Sequence, residues 1–119
     1  MINLEKAKEL AKVLPWDPNE GDTVYYYDPV HCDHGETKWV NPAPNMRDYI
    51  EYYAIPSLSQ LLTEVEKRGW NADSVMLKDG GYGCDIYYLS KTVYTKYMAF
   101  AGESREDAAA EALLHILRQ

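Results

Sequence analysis

The chain has 119 residues, a length that predicts one domain spanning residues 1–119. Its formal net charge is −7, from 12 basic and 19 acidic residues, so we expect no RNA or DNA binding through a basic surface. Tyrosine is unusually frequent, with 11 Tyr beside 1 Phe, so many aromatic rings carry a hydroxyl that must reach water or a partner.

A first helix is predicted from Asn3 to Leu14. Asn3 can accept a hydrogen bond from the N–H groups of the first turn, and Pro15 ends the helix because proline has no N–H to donate. The apolar residues recur at the spacing of a single helix face: Leu4, Ala7, Leu10, Ala11 and Leu14.

Residues 16–56 contain five prolines and show less regular patterning. Thr23–Tyr27 has the composition of a strand, and Thr37–Val40 is predicted as its hairpin partner across a loop from Asp28 to Glu36. Asn45–Tyr53 is predicted as a short helical turn.

The clearest helix is predicted from Ser57 to Arg68. Ser57 and Gln60 have the spacing of a capping box, in which each side chain accepts a backbone N–H at the helix start. Gly69 follows at the position where a helix end favours positive φ, so Trp70 is expected to pack back on the helix.

Three strands are predicted next, at Ser74–Lys78, Cys84–Ser90 and Val93–Phe100. The connections between them, Asp79–Gly83 and Lys91–Thr92, are short. Short connections join antiparallel neighbours, so these strands are expected to form a meander.

A last helix is predicted from Ser104 to Leu117, with Ser104 and Asp107 in a capping arrangement. We expect it to cover the sheet as a lid, through Ala109, Ala112, Leu113, Ile116 and Leu117. The predicted fold class is α+β, a mainly antiparallel sheet with helices packed on it and a C-terminal block ordered α-β-β-β-α.

That order resembles the double-stranded-RNA-binding domain. The family places lysines at the start of the last helix, where they meet phosphates. This chain has Ser104–Asp107 there, with one Arg beside two acids, so the resemblance concerns the order of elements and not RNA binding.

Most of the chain also resembles a family of small phage and prophage proteins that is named for a phage ABA-sandwich domain. The resemblance is carried in order by Val13–Trp16, Lys38–Pro42, the helical segment Pro56–Trp70, the strand Met98–Ala101 and the helix Ser104–Leu117. It implies a phage-type protein with helices on the two outer sides of a sheet. The family has no established activity, so it implies no catalytic residue.

The chain shows no secretory signal and no apolar run near the ~20 residues that a membrane-spanning helix needs. We therefore expect a cytoplasmic protein, in the host cell if the phage resemblance holds, with no membrane partner. Cys32 and Cys84 are expected to be thiols rather than a disulfide.

His31, Cys32 and His34 form the densest cluster of metal-ligand residue types, and three residues separate the two histidines. A zinc site would need further ligands, and the neighbouring residues supply no obvious pattern. A polar loop between two strands is the favoured interpretation, so we predict no metal and no other cofactor.

No pair of carboxylates and no activated nucleophile stands in a recognisable catalytic pattern, so the chain is predicted not to be an enzyme. The favoured function is a protein-binding module, with self-association also plausible. The alternatives are an acidic protein that mimics nucleic acid to inhibit a host defence protein, and a metal-binding protein. Protein contact is predicted at Tyr25, Tyr27, Trp39 and Tyr52, since exposed aromatic residues are typical of interfaces.

Overall fold

The computed structural model describes residues 2–14, 18–39, 51–89 and 95–119. Within these ranges it has three helices and two antiparallel sheets of three strands each, so the predicted α+β class is confirmed. The elements are α1 Leu4–Val13, β1 Thr23–Asp28, β2 Asp33–Lys38, β3 Glu51–Ala54, α2 Leu58–Lys67, β4 Asn71–Met76, β5 Tyr82–Leu89, β6 Thr95–Gly102 and α3 Arg105–Leu117.

The helices begin where their capping residues predict. Asn3 accepts the N–H of Glu5 at 2.8 Å, and Ser104 accepts the N–H of Asp107 at 3.0 Å. Ser57 and Gln60 form the complete capping box, because each side chain accepts the other residue's N–H. These bonds satisfy donors that the helix itself leaves without acceptors.

The first sheet, which we call sheet A, has the strand order β2-β1-β3. The predicted hairpin is confirmed, with Val24 opposite Thr37, but the predicted loop at Asp28–Glu36 is wrong, because β2 already begins at Asp33. The helical turn predicted for Asn45–Tyr53 is also wrong over residues 51–53, which pair with β1 as a strand. Residues 45–50 lie outside the described ranges, as does Pro15.

The second sheet, sheet B, is the predicted meander in the order β4-β5-β6. Gly69 ends α2 with φ +88°, as its position predicted. The strand β4 starts at Asn71, three residues before the predicted Ser74, because its pairing with β5 continues back to Tyr87. The predicted connection Lys91–Thr92 lies outside the described ranges.

The helix α3 lies in the middle of the molecule. It packs on all three strands of sheet B, as predicted for a lid on the sheet, and it also contacts α1 and α2. Its burial extends round most of the helix: Asp107, Ala108, Ala109, Ala110, Ala112, Leu113 and Leu114 are buried. Small alanine side chains allow this close approach on several sides at once.

Polar contacts hold α1 beside α3. The carboxylate of Asp107 accepts the backbone N–H of Asn3 at 2.5 Å, Lys6 forms an ion pair with Glu111, and Arg118 pairs with Glu9 at 3.0 Å. Two of these contacts involve the first half of α3, so the start of α1 is the part most firmly positioned.

The strands of sheet A contribute little to this core, although β3 contacts α1. The main cluster of buried residues draws on α1, α2, α3 and sheet B, and within the described chain it contains no residue of β1, β2 or β3. In sheet A only Val24 and Asp28 are buried. None of the helices in the described ranges is both long and apolar enough to cross a membrane.

Candidate functional site

The register of sheet A separates the four predicted contact residues into two pairs. Tyr25 and Tyr27 alternate with Tyr26 along β1, so they point to the opposite face from it. Tyr52 lies directly opposite Tyr26 in the β1–β3 pairing and therefore shares its face. Trp39 joins Tyr52 there, since their ring centroids lie 5.4 Å apart.

The first face, which we call the Tyr25 face, consists of Tyr25, Tyr27, His34 and Tyr53. Tyr27 is 41% exposed and lies opposite the exposed His34. The imidazole of His34 also lies 6.0 Å from the ring of Tyr25, between ring centroids. Tyr53 lies opposite Tyr25 and donates to Glu51 at 2.9 Å, which raises the pKa of the Tyr53 hydroxyl. The Nζ atom of Lys8 on α1 lies 5.6 Å from the centre of the Tyr53 ring, so this end of the face meets α1, whereas Tyr27 forms the exposed end.

The second face, the Trp39 face, is tied together by its own contacts. The rings of Trp39 and Tyr52 meet edge to face at 82°, a favourable arrangement for aromatic quadrupoles. The hydroxyl of Tyr26 donates to Asp33 at 3.3 Å, and its ring lies over Gly35, which has no side chain. Burial and then the charge of Asp33 raise the pKa of Tyr26. All three rings of this face are half-buried.

The metal-ligand candidates lie at the turn between β1 and β2. The buried carboxylate of Asp28 accepts the backbone N–H groups of Val30 and His31, at 3.0 and 3.1 Å. It also contacts the Nδ1 atom of His31 at 2.8 Å. Burial alone would raise the pKa of Asp28, but these bonds from His31 and Val30 outweigh burial and lower it. Cys32 completes the turn with φ +48°.

The turn does not bring the three metal-ligand candidates into one cluster. His31 is engaged with Asp28, Cys32 is exposed, and His34 lies on β2 against Tyr25. Across the ranges that the structure describes, no group of three His, Cys, Asp or Glu side chains is placed to hold a metal ion. Metal binding therefore stays a hypothesis, and elemental analysis of untagged protein would test it.

The basic side chain at the start of α3, Arg105, makes its contacts within the protein. The guanidinium of Arg105 donates to the hydroxyl of Ser74 at 3.0 Å and lies 5.3 Å from the centre of the Tyr82 ring. Asp107 caps the backbone of Asn3. The guanidinium of Arg105 is therefore engaged within the protein, and the absence of RNA binding stays a prediction from the charge of the sequence.

Sequence reasoning missed a groove of about 510 Å³ beside sheet B. One side is the strand β6 at residues 99–102, and the other is the start of α1 at Asn3 and Lys6. Glu103, Asp107 and Glu111 complete its lining. No local pattern could have indicated this groove, because its lining comes from segments about a hundred residues apart.

No family model, no curated protein sequence and no solved structure matches this chain. The resemblance to phage proteins therefore stays a prediction, and the functional argument depends on the geometry described above.

Proposed function

We propose that this protein is a non-enzymatic, phage-type protein-binding module that acts in the cytoplasm of a host cell. The partner contacts sheet A through the Tyr25 face. The phage origin and the location depend on the sequence resemblance alone, whereas the binding surface is argued from the geometry.

The observation that carries the proposal is the position of sheet A. Its strands hold five of the tyrosines, at 25, 26, 27, 52 and 53, yet contribute no residue to the main core within the described chain. An aromatic side chain can bury about 150–250 Å² of surface. Rings that are partly exposed in the free protein can therefore bury further surface when a partner binds. Tyrosine is also enriched at interfaces, where its ring is buried and its hydroxyl finds a polar group.

The Tyr25 face suits a partner better than the Trp39 face. Tyr25 and Tyr53 are half-buried like the three rings of the Trp39 face, which contact one another or Asp33. The difference is Tyr27, which is 41% exposed and has no counterpart on the Trp39 face. The Trp39 face therefore stiffens sheet A, which lowers the entropy that the sheet loses when a partner binds.

The test is photo-crosslinking with a benzophenone amino acid at position 27, followed by identification of the captured protein. The same capture is then repeated with the double variant Tyr25→Ser and Tyr27→Ser. A matched control is Met76→Ser, because Met76 is 66% exposed on β4 and lies outside both sheet A and β6. An exposed substitution such as this control usually changes stability by about 0.5 kcal/mol or less. Because Tyr25 is half-buried, urea denaturation checks that the double variant is still folded.

We expect a single partner that wild type and the Met76 variant retain and the double variant loses. Self-association through the same face would appear as a dimer in light scattering that the double variant abolishes. A strictly monomeric protein that captures nothing from host lysate would contradict the proposal. Capture that the double variant leaves unchanged would contradict the assignment of the Tyr25 face.

A further inference from the structure

Among the residues that the structure describes, one edge of the strand β6 has no partner strand. In the order β4-β5-β6 it is the last strand, and over the described residues it pairs only with β5. It is eight residues long, contains no proline and has Ala99 and Ala101 exposed. Proteins usually protect such an edge with Lys and other charged side chains, proline or bulges, since its backbone groups can pair with another chain. The charged residue of β6 is the exposed Lys96, which lies at the opposite end of the strand from residues 99–102.

The backbone groups that face the open edge can be identified. The carbonyl oxygen of Phe100 lies 3.5 Å from where a Cβ on Gly83 would stand, so it points toward β5. Alternate residues of a strand present their N–H and C=O to opposite edges. Tyr97, Ala99 and Ala101 therefore present their N–H and C=O groups to the open side.

The groove beside this edge is already shaped for an extended chain. Residues 99–102 span about 13 Å of strand, which matches about four residues of an added strand. The far wall is the start of α1, which is fixed to α3 by the bond from Asn3 to Asp107 and the ion pair of Lys6 with Glu111. A preformed site of this kind loses little conformational entropy when it is filled.

The acidic lining of the groove favours a basic chain as its ligand. Its lining has one basic residue, Lys6, against three acidic ones, and the charge of Lys6 is already balanced by Glu111. Glu103 is exposed at the end of β6 and adds a negative charge at the mouth of the groove. A second copy of the chain would bring another net charge of −7 and its own α1 beside the same edge. A single basic strand meets neither obstacle.

We propose that the open edge of β6 binds an extended, basic segment of a partner protein by strand addition. The segment pairs with Ala99 and Ala101 through its backbone and places Lys or Arg side chains near Glu103. Its intervening apolar side chains enter the groove beside Phe100. This site is separate from the Tyr25 face, so either proposal can fail without the other.

The probe is a fluorescent eight-residue peptide of alternating Lys and Val, titrated with the full chain and followed by anisotropy. One control peptide replaces each Lys by Glu, and a second carries N-methyl groups on alternate backbone nitrogens. The protein variants are Ala99→Pro, which removes an outward N–H without breaking the β5 pairing, and Glu103→Lys. Proline is tolerated on edge strands when its nitrogen faces solvent.

We expect 1:1 binding of the Lys–Val peptide that weakens as salt rises. The N-methyl peptide should bind at least about tenfold more weakly, since it loses several hydrogen bonds. Glu103→Lys should weaken binding by about two- to fivefold, as for an exposed charge pair. Amide chemical shifts should move in Ala99–Gly102. If Ala99→Pro fails to fold, the N-methyl peptide tests the backbone contacts with wild-type protein.

Any one of the following results overturns the proposal. These are no saturable binding at about 1 mM peptide, equal binding of the N-methyl peptide, equal binding of the Glu–Val peptide, or chemical-shift changes confined to the Tyr25 face. A wild-type dimer whose β6 amides are protected from exchange would also overturn it, because a second copy would then occupy the edge.

Discussion

Replacing Gly102 by alanine should destabilise the protein more than any other glycine-to-alanine change in sheet B. A Cβ at this position would lie 2.6 Å from the backbone nitrogen of Ala108 and 2.8 Å from the Cβ of Asp107. The chain turns from β6 into α3 at Ser104, so the first turn of the helix lies directly over the end of the strand. The obstructing atoms are those of a buried helix, which cannot move without disturbing its contacts with the sheet.

Two other glycines provide a graded comparison. A Cβ at Gly83 would lie 3.0 Å from Val75 and 3.3 Å from Leu77, both side-chain atoms that can shift. A Cβ at Gly81 would lie no closer than 3.7 Å to the atoms around it, an ordinary contact distance. Overpacking a core costs about 1–3 kcal/mol. We therefore expect a loss of about 3 kcal/mol for Gly102→Ala and about 1 kcal/mol for Gly83→Ala.

For Gly81→Ala we expect no loss, or a gain of up to about 1 kcal/mol, because alanine restricts the unfolded chain.

Urea denaturation measures these differences directly. For an m value of about 2 kcal/mol/M, a loss of 3 kcal/mol lowers the midpoint by about 1.5 M. A chain of this length has a total stability of about 6–18 kcal/mol, so the Gly102 variant should still fold and be measurable. The reasoning is refuted if Gly102→Ala lies within about 0.5 kcal/mol of wild type, or if Gly81→Ala is the most damaging of the three.

Further predictions concern the thiols, a helix cap and the acid sensitivity of the turn. Burial, together with nearby carboxylates, raises the pKa of Cys84 to about 11, whereas Cys32 is exposed. A disulfide reagent should therefore label Cys32 rapidly in native protein and Cys84 only in denaturant. Equal labelling rates for the two thiols would contradict this prediction. Ser57→Ala removes the acceptor of the capping box and should lower the free energy of unfolding by about 1 kcal/mol in urea. The hydrogen bonds that Asp28 accepts from His31 and Val30 outweigh burial and lower the pKa of Asp28. The ionised carboxylate therefore stabilises the fold at any pH above the unfolded-state pKa of Asp28. This stabilisation is lost as the pH falls through the pKa of Asp28 in the folded state. The melting-temperature difference between wild type and Asp28→Asn should therefore be largest near about pH 7 and shrink toward about pH 2, and a constant difference would contradict this role.

The helix starts and the end of α2 were predictable because their causes are local. Asn3, Ser57 and Ser104 each accept an N–H from a residue two or three positions away. Gly69 has the positive φ that its position after a helix requires. Interactions over so few residues are encoded within a single window of sequence, so neither the sheets nor the core had to be known.

The strands of sheet A were harder to predict because non-local pairing decides them. Glu51–Ala54 forms a strand of only four residues, and β1 supplies its hydrogen-bond partners from about 27 positions earlier. Residues 33–36 contain Asp, His, Gly and Glu, a composition typical of a loop, yet they pair with residues 25–28. Strand propensity depends on such context, and the neighbouring strand here overrides the local preference.

The candidate site was likewise only partly predictable. Tyr25, Tyr27, Trp39 and Tyr52 have the residue types of an interface, and this follows from composition alone. Which face each ring occupies depends on the register of β1 with β3, since a shift by one residue would exchange the two faces. The groove beside β6 joins residues from both ends of the chain, so it could be found only in the folded structure.

By itself, the sequence determined the α+β class, the positions of the three helices and the net charge of −7. Each of these depends on residue type or on spacing within a few turns. The tertiary structure decided that α3 packs on α1 and α2 as well as on sheet B. It also decided that, within the described residues, the strands of sheet A contribute nothing to the main core and one edge of β6 has no partner strand. These features arise from contacts between segments far apart in the chain, whose relative placement depends on packing that local sequence patterns do not encode.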